Sequence, residues 1–355
     1  MKKRRLHLIS LLLLLPFLSG CWDVKDINHR ALPAAMAIDR ADTGDYIVWL
    51  KIPKIGGSRN SYIIARGHHA SISKAIDLIS SNLDRTVDLL HVKLIFLSER
   101  LAKNNTKEVI DYALRTREIG NKTKIAVVRG DMSTFFESSH KSVAGSTSTS
   151  YDNFFSKTSG WTPDVVRSAL WQVYRGSRSD TEDSLLPIVK RGESTMLFLV
   201  GSCLMKNEKL VAEYTPQESL IYNVYKGEFR NGIVQTLDHG AVRLLSADVE
   251  NDTSRKGKQP VLHVKFKVKV TTLESKAGVT DAMLIRDLKM IFKKRFAKLI
   301  EISQQAHADV LGIGQHFRHH YSNEELNTWK DELFSQMETH IDVEVTIRNR
   351  GLLRN

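Results

Sequence analysis

Cysteine is scarce in this 355-residue chain: Cys21 and Cys203 are the only two. That excludes a disulfide-rich scaffold and a four-cysteine zinc site, both of which need more thiols. No apolar run reaches the roughly 20 residues of a membrane-spanning helix. The longest candidate, Leu6 to Leu18, is interrupted by His7, Ser10 and Pro16. Catalytic signatures are missing too: there is no Gly-x-Ser-x-Gly elbow, no phosphate loop and no His-Glu-x-x-His pair. Ser71-Ile72-Ser73-Lys74 has the Ser-x-x-Lys spacing of penicillin-recognising enzymes, but no Lys-Thr-Gly or Ser-Asp-Asn partner accompanies it. With 42% hydrophobic and 26% charged residues, the composition is that of a folded protein, and the length accommodates two or three domains.

Positive charge is in excess, 52 Lys+Arg against 40 Asp+Glu, and its placement matters more than its size. Lys2 to Arg5 precede the short apolar run, the arrangement of a secretory signal. Leu18-Ser19-Gly20-Cys21 follows and resembles the lipobox of bacterial lipoproteins. The expectation is a signal peptide over residues 1–20, cleavage between Gly20 and Cys21, and a Cys21 that carries an S-diacylglycerol and an N-acyl group such as palmitate. Two or more acyl chains, at about 0.8 kcal/mol per buried methylene, hold a protein on a bilayer where one would not. Removing the signal leaves 48 Lys+Arg against 40 Asp+Glu, a charge of +8. An outward-facing location argues against a nucleic-acid partner. Cys203 then remains as a free thiol within the apolar stretch Met196 to Leu204, which reads as a buried strand.

The first half alternates strand and helix signals. Pro33 to Ile38 and Tyr46 to Ile52 read as strands joined by Asp42-Thr43-Gly44-Asp45. Ile72, Ile76, Ile79 and Leu83 recur at helical spacing with Ser71 or Ser73 as cap. Leu89 to Leu97 reads as a buried strand and Glu99 to Glu118 as helix, broken at Asn104-Asn105-Thr106, with Thr106 capping the second part. Lys124 to Val128 returns to strand, and a helix starts at Asp131. The Ser/Thr-rich stretch near 138–160 predicts an exposed loop, Trp161 to Tyr174 a helix opened by Pro163, and Leu185 to Val189 a further apolar segment.

The second half has stricter patterning. Leu262, Val264, Phe266, Val268 and Val270 alternate with Lys265, Lys267 and Lys269, and Ile341 to Ile347 alternate with Asp342 and Glu344 on the other face. The complementary polar faces predict neighbouring strands with lysines opposite carboxylates. Between them, Asp281 to Gln305 reads as one amphipathic helix: Leu284, Leu288, Ile291, Phe292, Phe296, Leu299 and Ile300 form an apolar stripe, and Arg286, Lys289, Lys293, Lys294 and Lys298 a basic side. A solvated face is the simplest role for those cations; contact with anionic headgroups is the functional one. The fold class expected is α+β and multidomain, with mixed sheets packed by helices. Residues 21–192 are expected to form an N-terminal α/β region, as one unit or as two subdomains with the Ser/Thr-rich loop near 138–160, and 193–355 a C-terminal α+β domain with its long helix against an antiparallel or mixed sheet.

Several segments together resemble the Ger(x)C spore germination lipoproteins, the C subunits of nutrient germinant receptors. They are Cys21-Trp22-Asp23 with Ile27-Asn28, His91 to Ala102 with Arg115, Arg117, Glu118 and Ile119, Ala308-Asp309-Val310-Leu311-Gly312-Ile313-Gly314, Trp329, and Ile341 to Gly351. The resemblance implies a non-enzymatic protein anchored by lipid to the outer face of the cytoplasmic membrane, at the spore inner membrane. It also implies two integral membrane partners, an A and a B subunit, without requiring a small-molecule pocket in this chain. The alternative reading, an extracytoplasmic solute-binding lipoprotein, demands two similar lobes, whereas the halves differ in pattern. His307, His316, His319 and His320, with His68-His69, form histidine clusters whose spacing completes no metal-ligand pattern. No catalytic residue, cofactor or metal ligand is assigned.

Overall fold

The computed structural model describes residues 29–54, 62–137, 154–155, 164–193, 195, 197–229 and 232–349. The chain enters through β1 (Arg30–Ala31) and runs through β2 (Ala35–Arg40), β3 (Tyr46–Pro53) and β4 (Tyr62–His69), then α1 (Ile72–Ser81) and β5 (Thr86–Val87). β6 (Leu94–Ser98), α2 (Glu99–Asn104), α3 (Lys107–Arg115), β7 (Lys124–Val128) and α4 (Met132–Glu137) follow. After β8 (Ser168–Ala169) and α5 (Leu170–Arg178) come β9 (Ser184–Arg191), β10 (Leu197–Lys206) and β11 (Lys209–Tyr214). Apart from β1 and β5, which pair with each other, these strands build one sheet in the order β11-β10-β9-β7-β6-β2-β3-β4, with β8 paired to β7. Its centre is parallel and both flanks are antiparallel.

Burial on both faces explains why β6 reads as a continuous apolar run. Ile95 and Leu97 face α1, α2, α3 and α5, whereas Leu94 and Phe96 face an aromatic cluster with Met132, Phe135, Phe136 and Phe155. Strands β10 and β11, which the sequence places after residue 192, extend this same sheet. Their Cys203 and Met205 point into the core of the first half, while Leu204 and Tyr214 point into the core of the second.

The second sheet has the order β12-β13-β14-β15, from β12 (Val234–Leu237), β13 (Gly240–Lys256), β14 (Gln259–Ser275) and β15 (Glu338–Asn349). β13 and β14 form a long antiparallel hairpin, and β15 returns parallel to β14 after α7 (Asp281–Gln305). Along α7, Leu284, Leu288, Phe292, Phe296, Leu299 and Ile300 are buried at spacings of three and four, and Ile291 is half-buried. Phe266 packs edge-on to Phe292 and Phe296, at ring-centroid distances of 5.7 and 5.2 Å. α6 (Pro216–Tyr225) fills the space between α7 and the first sheet, where Tyr225 stacks on Phe296. The short α8 (Asn323–Asn327) precedes β15. Mixed sheets packed by helices, a multidomain α+β chain, is the observed fold class.

The pairing expected from the polar faces is present. Lys265 lies opposite Asp342 and Lys267 opposite Glu344, and the Lys265 ammonium reaches Glu344 at 2.9 Å. Three local expectations need correction. The helix expected over Trp161 to Tyr174 is α5, beginning only at Leu170, because Ser168 and Ala169 pair with β7 instead and the Ser168 hydroxyl donates to Leu185 O. Leu89 to Leu97 is not one strand: Asp88 Oδ1 accepts from Leu90 N (3.0 Å) and folds Leu89–His91 into a 3-10 turn before β6 starts. Thr106 occupies the N-cap position of α3, but its hydroxyl donates to Glu208 O (2.9 Å), so it ties the helix to the β10–β11 turn instead of capping it. Ser71 does cap α1, accepting from Lys74 N at 3.3 Å.

Candidate functional site: a carboxylate junction between the halves

The segment Ala308 to Gly314 leaves the end of α7 and folds around one side chain. Asp309 is fully buried; its Oδ1 accepts from Ile313 N (3.0 Å), and its Oδ2 accepts from Gly314 N (2.8 Å) and Trp329 Nε1 (2.9 Å). Gly312 has φ 68°, the left-handed conformation that favours glycine. At Gly314 a Cβ would sit 2.7 Å from Trp329 Nε1 and 2.8 Å from Thr181 Cβ, so the close approach of the indole admits no side chain. Trp329 is held in turn by Phe317 and Phe334, at centroid distances of 5.0 and 6.0 Å.

The same loop grips the first half of the chain. Asp183, just before β9, donates its N–H to Asp309 O (2.8 Å), and its Oδ2 accepts from Asp309 N (2.9 Å). Asp183 Oδ1 accepts from the Lys330 ammonium at 2.8 Å. Beside it, Glu182 receives Arg175 at 2.7 Å and Lys226 at 3.0 Å, and Lys226 also donates to Leu311 O (3.2 Å). The Gln315 amide donates to Thr181 Oγ1. Residues 181–183 are therefore clamped from three elements of the second half.

Burial dominates the electrostatics. It pushes the Asp309 carboxyl up to about 6, against the pull of its three donors, and the nearby Asp183 carboxylate adds to the rise. Asp183 is also raised by burial, with Lys330 opposing. Both carboxylates are sealed from solvent. Their oxygens are occupied by backbone, indole and ammonium donors, which tie the loop after α7 to the segment before β9. The sequence pointed to Asp309, Gly312, Gly314 and Trp329 through the resemblance; it did not point to Asp183 or Thr181, whose only signal is the polar run before the buried strand Ser184–Val189.

Other sequence candidates have local roles. The Ser71 hydroxyl is the α1 cap, and Lys74 pairs with Asp77 at 2.5 Å, so the Ser-x-x-Lys spacing is a helix start. Cys203 is buried, 4.0 Å from Met205 Sδ, and burial raises its thiol far above the ordinary range. His320 Nε2 contacts Thr253 O at 2.8 Å, His316 is lowered by burial, and His68 lies 3.3 Å from Asp45. Among the described residues no three His, Cys, Asp or Glu side chains converge as a metal site would require. Arg286, Lys289, Lys293, Lys294 and Lys298 line the exposed side of α7. Cys21, with the Gly20–Cys21 cleavage position, lies outside the described residues. No helix among the described residues is long and apolar enough to cross a membrane.

An α+β scaffold whose two large sheets are joined by a buried carboxylate junction is the class these features define. The family descriptions "Spore germination protein N-terminal domain" and "Spore germination B3/GerAC like, C-terminal" match residues 23–191 and 200–351. The chain belongs to the Ger(x)C family of spore germination proteins, the germinant-receptor C subunits. It is 22% identical to spore germination protein B3 of Bacillus subtilis (strain 168) over 362 residues, covering 94% of this chain and 95% of that one. Spore germination protein KC of the same organism is 26% identical over 125 residues, 32% of this chain and 30% of that protein. The crystal structure of the GerBC protein shares the fold at a TM-score of 0.59 and 16% identity, over 88% of this chain and 96% of that one.

Proposed function

We propose that this chain is the lipid-anchored, non-catalytic subunit of a nutrient germinant receptor. Cleavage between Gly20 and Cys21 leaves Cys21 as the mature first residue, carrying the diacylglycerol and an N-acyl group. It sits on the outer face of the cytoplasmic membrane, which becomes the spore inner membrane, beside integral A and B subunits. The observation that carries this reading is positional: Leu18-Ser19-Gly20-Cys21 stands directly before the family match, which starts at residue 23 and continues to 351. A rigid junction between the halves fits a subunit that passes a relative displacement of its partners onward. The unlike sheets, one of nine strands and one of four, give no support to a bilobal solute-binding protein. Co-purification from detergent-solubilised spore membranes tests the assignment. Wild type is expected to bring down both membrane subunits, and Cys21→Ala is expected to appear in the soluble fraction without them. A Cys21→Ala protein that stays membrane-bound with both partners contradicts the anchor; wild type without partners contradicts the assembly.

A further inference from the structure

One end of the first sheet combines a cavity, unsatisfied positive charge and exposed apolar groups. The parallel strands β2, β6 and β7 all start there, as Ala35, Leu94 and Lys124 lie side by side, and β3 ends there at Pro53. A cavity of about 470 Å³ opens at this end, within the range of small-molecule sites. Its wall is apolar, from Leu32, Ile52, Ile63 and Leu83. Its rim carries Arg30, Lys54, Arg85 and Lys93 against a single acid, Asp84. Arg30 is bonded to Asp88 and Arg85 lies 3.8 Å from Asp84, but Lys54 and Lys93 are exposed and have no carboxylate partner among the described residues. Leu90 is 55% exposed in the turn leading to Lys93, and Trp171, 40% exposed, has its backbone beside the start of β7, where its backbone N–H donates to Asn121 O.

The same end receives the start of the folded chain. β1 pairs with β5 there, and Arg30 stands nine residues after Cys21. A fully extended connection of that length reaches at most about 30 Å, so an anchored Cys21 keeps this end of the sheet close to the bilayer. Exposed lysines, an indole and a leucine around an apolar cavity are the groups that meet an anionic membrane surface.

We propose that this cavity seats the headgroup and first methylenes of an anionic phospholipid, with Lys54 and Lys93 at its phosphate, and so fixes the orientation of the anchored protein on the bilayer. The proposal rests on the anchor reading for its geometry. The binding itself does not need acylation, which keeps the two separately testable. The chain from position 21 onward carrying Cys21→Ala is floated with vesicles of phosphatidylglycerol and phosphatidylcholine, or of phosphatidylcholine alone, at 0.1 M salt. Binding is expected only to the anionic vesicles. Lys54→Gln/Lys93→Gln is expected to reduce it by about tenfold or more, whereas Lys289→Gln/Lys293→Gln on α7 leaves it within about twofold. Two variants test the cavity apart from surface charge: Ala34→Phe, which fills it, and Ile63→Gln, at an exposed edge position, which makes the wall polar without changing the charge. Each is expected to weaken binding with circular dichroism unchanged. Wild-type binding by both cavity variants, equal loss in the α7 variant, or displacement by millimolar inorganic phosphate overturns the proposal. Labelling of the native protein with radioactive palmitate reads the anchor independently: a labelled protein whose cavity binds no lipid refutes this inference alone, and an unlabelled one refutes the anchor.

Discussion

Replacing Asp309 by Asn removes the charge from the junction and keeps its shape. The wild-type carboxylate accepts three hydrogen bonds, from Ile313 N, Gly314 N and Trp329 Nε1. The amide retains one accepting oxygen; placed toward Gly314 and Trp329, it leaves its NH2 facing the Ile313 N–H, so one buried donor loses its partner at a cost of about 1–3 kcal/mol. Opposing this is the cost of burying the charge. A carboxyl moved from 3.8 to about 6 on folding makes the folded state less stable by up to about 3 kcal/mol once ionised. The sign follows from the raised value: the folded state binds the proton more tightly, so the contribution is fully present below pH 3.8 and is lost as pH rises through 6. The stability gap between wild type and Asp309→Asn is therefore expected to shift toward the variant between pH 4.5 and pH 7.5, by about 1–3 kcal/mol. Urea denaturation of both proteins at the two pH values measures it, because titrating groups remote from the junction cancel in the difference. A gap that is constant with pH, or that moves toward wild type as pH rises, refutes the account of Asp309 as a charge raised by burial.

Three other changes probe the same architecture. Gly314→Ala forces a Cβ within 2.7–2.8 Å of Trp329 and Thr181 and is expected to cost about 1–3 kcal/mol in chemical denaturation; an unchanged midpoint contradicts the close approach. Phe296→Ala removes a ring packed on Phe266 and Tyr225 and is expected to destabilise by about 3–5 kcal/mol, read as a fall in thermal midpoint. The Cys203 thiol, buried and raised by burial, is expected to react with Ellman's reagent only after denaturant is added; rapid reaction of the native protein contradicts its placement.

Periodicity made some elements legible and not others. The α7 boundaries and the facing of Lys265 and Lys267 toward Asp342 and Glu344 follow from patterns of 3.6 and 2, which depend only on which side of an element meets the core. Features decided by partners distant in sequence were not legible. Ser168 and Ala169 leave the helical pattern because β7 offers them a ladder, and Thr106 serves Glu208, 102 residues away. The Asp183–Asp309 contact spans 126 residues. The loop motif around Gly312 and Gly314 is visible in the sequence, yet its purpose, enclosing a carboxylate that holds the opposite half, becomes clear only when Asp183 is set beside it. Cysteine scarcity proved informative because the two thiols separate: Cys203 is core, and Cys21 carries the proposed anchor.

The most direct test of the anchored-subunit account is mass spectrometry of the mature amino terminus, taken from protein isolated from spore membranes. The account predicts a first residue Cys21 bearing a diacylglyceryl thioether and an N-linked fatty acid, in material that also contains both integral membrane subunits. An unmodified Cys21, or a mature terminus at any other residue, contradicts it.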